Sequence, residues 1–353
     1  MSEKIEIKKF SELNLEDEFF DSLREDYENF DTWYKKKESS FEDVFVQCNN
    51  GKIQAFLYLK IESDTDVDIE ILPPLKTGKK LKIGTFKINA HNTKLGERFI
   101  KLIVDRAIEE SVDYIYVTIF NKGLQKPLIN LLVKYGFIVS GTKGKEQVLI
   151  KDMRSKQGDL YEMYPLIDKK EKRKFVLAIY PKYHTKLFPD SILKNEILQK
   201  DDIIKDVSYT NSISKTYVCF MRDTEQLIPG DIIVIYRTND GEGPAYFRSV
   251  VTSVCQVEEV KKKRDFNDEN EFIHYTNRYS VFDEEELSLW YKKECVVIKM
   301  LYNATLKKRL TRKALIENVG LNPSVYWGFF RLSDDEFEEI CQLGNINDNI
   351  FIK

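Results

Sequence analysis

Apolar residues recur at helical spacing in one long stretch and alternate at strand spacing in many others. Over 96–110, Phe99, Ile103 and Ala107 fall on one line and Ile100, Val104 and Ile108 lie beside it, which predicts a helix with one buried face. The run DYIYVTIF at 113–120 is β-branched and aromatic, the signature of a strand. A short helix follows over 127–135 and stops at Gly136. Upstream, Phe19, Phe20, Leu23 and Tyr27 predict a helix within 15–30. Strands are predicted at 43–48 and 52–62, joined by the hairpin signal Asn49-Asn50-Gly51. Pro73-Pro74 interrupts the next stretch before a strand at 81–88, and 137–151 reads as a hairpin with Gly141 and Gly144 between its halves.

The pattern changes after this. Residues 152–158 and 168–174 are charged and poor in apolar positions, so 153–174 is read as a linker between domains at 1–152 and 175–353. Strands are expected at 175–180, 215–220, 231–237, 246–254 and 295–300, with helices only at 311–319 and 334–343. The proline-bounded segment 181–189 (PKYHTKLFP) reads as an Ω-like turn, and 261–264 as a mixed-charge loop. The fold class is therefore α+β: a mixed α/β domain followed by a small domain resembling a β-barrel.

Composition narrows this picture only in places. The chain has 353 residues, 42% of them hydrophobic, which is enough for two cores. With 55 Lys and Arg against 58 Asp and Glu, global charge selects no nucleic-acid or membrane partner, and only local patches can. The cysteines (48, 219, 255, 295 and 341) form no C-x-x-C pair, and the three histidines have no metal-ligand spacing. MSEKIEIKKF lacks an apolar h-region and no segment is as long as a membrane span, so a cytoplasmic protein with no membrane partner is expected.

Candidate chemistry concentrates between Lys79 and Phe137. A strand, a polar loop and a helix N-terminus follow one another there, and free backbone N–H groups at such a terminus hold phosphate. With the closing Tyr135-Gly136-Phe137, this order resembles the GNAT family of N-acetyltransferases, and the resemblance covers the first 150 residues. It implies that the strand bearing Phe86, Lys87 and Ile88 splays from its neighbour and pairs with the pantetheine arm of acetyl-CoA. It implies too that His91, Asn92, Thr93, Lys94, Leu95, Gly96, Glu97 and Arg98 surround the pyrophosphate, and that Asn121 contacts the cofactor. His91 stands at the family's Gln/Arg position and Lys94 at its first loop glycine, where a lysine offers a cation instead. The family's thiolate-protonating Tyr falls on Leu132. For the acceptor side, Glu70 is the candidate base, with Glu62 at the other end of the same segment, and Tyr116 and Thr118 share one face of the central strand.

In the second domain, LIPGDIIVIYR at 227–237 places a Pro-Gly-Asp turn before a buried strand, which resembles the PUA-like superfamily with its ASCH and EVE domains. That resemblance implies contact with RNA or with DNA. The basic run Lys307, Lys308, Arg309, Arg312 and Lys313, with Tyr326 and Trp327 following, suits phosphate contact plus base stacking. The expectation is an acetyl-CoA-dependent N-acetyltransferase acting on an amine and delivered by a nucleic-acid-binding domain. The alternative is a non-catalytic nucleic-acid-binding or CoA-sensing protein on a retained GNAT scaffold, or a toxin–antitoxin or defence component.

Overall fold

Asn50 (φ 50°) and Gly51 (φ 78°) supply the two left-handed positions that a tight hairpin needs, and the first sheet grows from that turn. A computed structural model describes residues 5–66, 68–89, 95–189, 212–277 and 279–352. The chain divides into two units, Met1–Glu162 and Met163–Lys353, and the division falls within 153–174. Both units are mixed α/β structures, each built on one mixed sheet.

The first unit runs β1 (Ile5–Lys9), α1 (Asp21–Asp26), α2 (Phe30–Ser39), β2 (Asp43–Asn49), β3 (Lys52–Glu62), β4 (Ile71–Leu72), β5 (Lys80–Ile88), α3 (Leu95–Glu109), β6 (Tyr114–Phe120), α4 (Lys126–Lys134), β7 (Ile138–Lys143) and β8 (Glu146–Asp152). Its eight strands are ordered β1-β2-β3-β5-β6-β8-β7-β4. The β5–β6 pair is parallel, with α3 as its crossover, and the other pairs are antiparallel. Phe10, Phe20, Phe30 and Tyr34 pack on Val44, Val46 and Phe56, so α1 and α2 cover the β2–β3 end of one face. The helix expected over 15–30 is broken into a 3-10 turn (Glu18–Phe20) and the six-residue α1. Helix α2 has no sequence-level forecast: it buries only Phe30 and Tyr34, too thin a stripe to stand out among its charges.

The second unit runs β9 (Lys174–Ile179), α5 (Pro181–Leu187), β10 (Ser214–Cys219), β11 (Ile232–Arg237), α6 (Ala245–Arg248), β12 (Val250–Lys262), α7 (Glu269–Asn277), α8 (Glu284–Tyr291), β13 (Val296–Thr311), α9 (Arg312–Glu317), β14 (Phe329–Leu332) and α10 (Asp334–Leu343). The sheet order is β10-β13-β12-β11-β9-β14, and among the described residues no pairing joins its ends into a closed barrel. The Pro-Gly-Asp turn is structural. Gly230 takes φ 90°, and buried Asp231 accepts from Ile228 N–H (2.9 Å) and from Arg173 Nε (3.0 Å). The segment 181–189 corrects the Ω-turn expectation: Pro181 opens α5, where its missing N–H costs nothing, and His184 is buried. The strand expected at 246–254 begins as a helix, whereas β12 and β13 extend far beyond the expected segments, because their outer halves carry charged residues that hide the alternation.

Candidate active site

Strands β5 and β6 are paired from Lys80/Tyr114 to Ile83/Val117 and no further. Both continue, β5 to Ile88 and β6 to Phe120. Each arm stays paired to its outer neighbour: Ile88 lies opposite Ala55 of β3, and Phe120 opposite Glu146 of β8. The sheet therefore opens into a wedge with an ordered strand on either side. A bulge sits at its apex. Tyr58 lies opposite Thr85 and Leu59 opposite Ile83, so Gly84 is the additional residue. A Cβ on Gly84 would come within 2.6 Å of the buried Tyr58 ring, so glycine lets the ring close over the bulge. Such a bulge adds twist and re-aims the strand beyond it. Peptide groups that face the wedge have no ladder partner among the described residues, and an extended ligand bearing amides can pair with them.

The residues expected around a cofactor fall in four places. Phe86, Lys87 and Ile88 lie on the free arm of β5. Phe86 packs on Phe99 of α3 with ring centroids 5.7 Å apart, and Lys87 donates to the Phe19 carbonyl with its Nζ 4.6 Å over that ring. His91, Asn92, Thr93 and Lys94 lie outside the described residues. Leu95, Gly96, Glu97 and Arg98 form the first turn of α3. Gly96 meets the neighbouring helix: a Cβ there would lie 2.7 Å from Leu131 Cδ2. Glu97 is buried, accepts from the Tyr135 hydroxyl and has Lys134 Nζ 3.9 Å away. Asn121 is exposed immediately past the end of β6. Leu132 is fully buried.

Glu70 and Tyr116 are not brought into direct contact. Tyr116 is buried and donates to Glu62 Oε2 at 2.5 Å. Burial and that bond push its hydroxyl well above the ordinary tyrosine value, so it stays protonated. Glu62 in turn is 3.1 Å from Lys60 and 3.9 Å from Lys82, whose ammonium lies 5.5 Å over the Tyr116 ring. Lys82 reaches Asp68 at 3.7 Å, Asp68 reaches Lys143 at 2.7 Å, and Lys143 reaches the exposed Glu70 at 3.4 Å. Glu70 thus stands at the far, solvent end of a charge chain whose buried end is Tyr116.

A second carboxylate stands beside the wedge and is not marked by any sequence motif. Glu146 accepts from Thr118 Oγ1 (3.2 Å), on the free arm of β6, and from the Tyr27 hydroxyl (2.7 Å). The Tyr27 ring lies 5.3 Å from Phe120, which carries the end of α1 over this arm. The β6–β8 register, with Phe120 opposite Glu146, sets Glu146 beside Thr118, and the end of α1 brings Tyr27 to it.

In the second unit the expected nucleic-acid residues also separate. Lys307 and Lys308 are exposed on β13, and Lys313 is exposed with Glu317 3.8 Å away. Arg309 donates to Leu306 O. Arg312 lies 4.4 Å over the ring of buried Trp327, and Tyr326 remains exposed.

No protein-family model matches the chain, and neither does any curated protein. Among solved structures, the chain is similar to an ASCH protein from Zymomonas mobilis (13% identity, 48% of this chain, 94% of that one, TM-score 0.32). It is also similar to the PaiA N-acetyltransferase from Thermoplasma acidophilum in complex with coenzyme A (15% identity, 42% and 99%, TM-score 0.28). A third similarity is to the N-acetyltransferase PseH from Campylobacter jejuni (15% identity, 42% and 97%, TM-score 0.28). Among the described residues no helix is long and apolar enough to cross a membrane.

Proposed function

We propose that the first unit is an acetyl-CoA-dependent N-acetyltransferase acting on an amine. The observation that carries this reading is the end of β5–β6 pairing at Ile83/Val117 while both strands continue. An acyl-pantetheine arm has two amides and the width of a strand, and it would add to the free edge of β5 with its thioester near the Gly84 bulge. The acceptor amine attacks the thioester carbon, the C–S bond breaks and CoA leaves as the thiolate. The proton lost by the nitrogen passes to Glu146, directly or through Tyr27 or Thr118. The thiolate takes its proton from water, since Leu132 has none to give.

Calorimetric titration with acetyl-CoA and CoA tests the reading, and the Lys94→Ala variant tests the proposed phosphate contact. Absence of saturable heat at about 1 mM ligand would overturn it. The buried Leu132 favours a second reading, a domain that binds CoA without turnover. Binding with no acetylation across a panel of amines would select that version. Delivery to RNA or DNA by the second unit rests on Lys307, Lys308 and Tyr326, which remain exposed. Its test is a salt-dependent filter-binding titration, because each phosphate contact steepens the fall of affinity with salt.

A further inference from the structure

One end of the second sheet carries a pocket of about 300 Å³ lined by Cys219, Phe220, Met221, Glu225, Lys262, Arg264, Glu294, Cys295 and Val296. Its base is set by strand register. Val296 opens β13 and lies opposite both Cys219 of β10 and Lys262 of β12. Lys262 leads into a 3-10 turn (Lys263–Asp265), held where Lys263 N–H donates to the Cys295 carbonyl at 3.0 Å, and this turn presents Arg264. Across from it, Glu225 rides on the turn Thr224–Gln226. Thr224 Oγ1 anchors that turn by donating to Met221 O (2.9 Å) and accepting from Cys219 Sγ (3.3 Å).

The two halves of this pocket differ in chemistry. The floor is apolar: Cys219, Cys295 and Val296 are buried, with Phe220 and Met221 beside them. Burial pushes both thiols up to about 11, so they are neutral at physiological pH and are weak nucleophiles. The rim carries Lys262 and Arg264 against Glu225 and Glu294, and none of the four side chains makes an ion pair among the described residues. Opposite charges around one small pocket ordinarily neutralise each other by pairing. Left apart, they complement a ligand that carries both signs at one end and an apolar body at the other.

We propose that this pocket binds a free α-amino acid with an apolar side chain. Its carboxylate would meet Arg264 and Lys262, its ammonium would meet Glu294 and Glu225, and its side chain would enter over Cys295 and Val296. The site is independent of the acetyl-CoA reading. The probes are L-leucine and L-methionine, with isopentylamine (leucine without its carboxylate) and 4-methylpentanoic acid (leucine without its ammonium) as controls. Ligand-observed NMR on the full chain should show saturable binding of the amino acids, with both truncated analogues at least about tenfold weaker. Arg264→Ala and Glu294→Gln should each weaken leucine about tenfold without changing the melting curve, since both side chains are exposed. Leucine should also slow labelling of Cys295 by a thiol reagent. Failure of either amino acid to bind at about 10 mM, equal binding of the truncated analogues, or indifference to both substitutions would overturn the assignment.

Discussion

The hydroxyl of Tyr135, the residue that closes α4, donates its hydrogen bond to the carboxylate of Glu97 in the first turn of α3. Both residues are buried, and the bond fixes the end of one helix to the start of the other. It also draws a negative charge inward from the terminus where a pyrophosphate is expected to sit. Tyr135→Phe leaves that carboxylate short of a donor and should cost about 1–3 kcal/mol in chemical denaturation. Its acetyl-CoA affinity should fall as well. A variant as stable as the parent would deny the contact its structural role.

The wedge apex gives a sharper test. Gly84→Val places a side chain where the Tyr58 ring now lies, and that ring is too buried to step aside. Acetyl-CoA binding should be lost and stability lowered. Adding Tyr58→Ala should recover part of both, a coupling that a double-mutant cycle would register. Strict additivity would show that the ring and the bulge act independently.

In the proposed acetyl transfer, two carboxylates compete for the role of proton acceptor. Glu146→Gln should lower kcat about 100-fold while leaving acetyl-CoA affinity intact. Glu70→Gln, at an exposed site 3.4 Å from Lys143, should change kcat by less than about twofold. The reverse ranking would move the base to the far end of the charge chain.

His184 makes the second unit sensitive to acid. Its Nε2 contacts Thr252 Oγ1 at 2.8 Å, and Nδ1 is buried with no partner among the described residues. Burial, with Arg237 and Arg309 nearby, lowers its pKa to about 3 from 6.5. The unfolded chain then binds the proton more readily than the folded one, so stability is full above 6.5 and is lost as pH falls towards 3. His184→Gln should flatten that limb of the stability profile, measured by urea midpoint against pH.

Lys151 gives the first unit a corresponding alkaline limb. It is buried, donates to the Glu162 carbonyl at 2.8 Å, and has its pKa lowered by burial to about 8 from 10.5. Stability should therefore rise as pH climbs from 8 to 10.5, where the folded state sheds a proton that the unfolded chain still holds. Lys151→Met should remove this rise.

Much of the first unit was legible because its signals are local. The hairpin at Asn50-Gly51, the long apolar face of α3 and the stop at Gly136 each announce themselves within a few residues. Helix α5 was obscured by its two flanking prolines, and the length of β13 by Lys307 and Lys308, which sit on a strand although a basic run suggests a helix face. The carboxylate beside the wedge was illegible for a different reason. Tyr27, Thr118 and Glu146 come from three separate segments, and they meet only through the β6–β8 register and the placement of α1. The Tyr116–Glu62 contact, 54 residues apart, is of the same kind.

The wedge between β5 and β6 is made of peptide groups, and every residue other than proline can supply those. Phe86, Lys87 and Ile88 could drift to other identities while the edge they form stayed usable. What must persist is the place where the rungs stop, beside the bulge that one glycine and one tyrosine ring accommodate. In the proposed acyl-donor role, such an edge can outlive nearly all of the side chains around it, which would let the acceptor side be rebuilt without re-inventing the donor side.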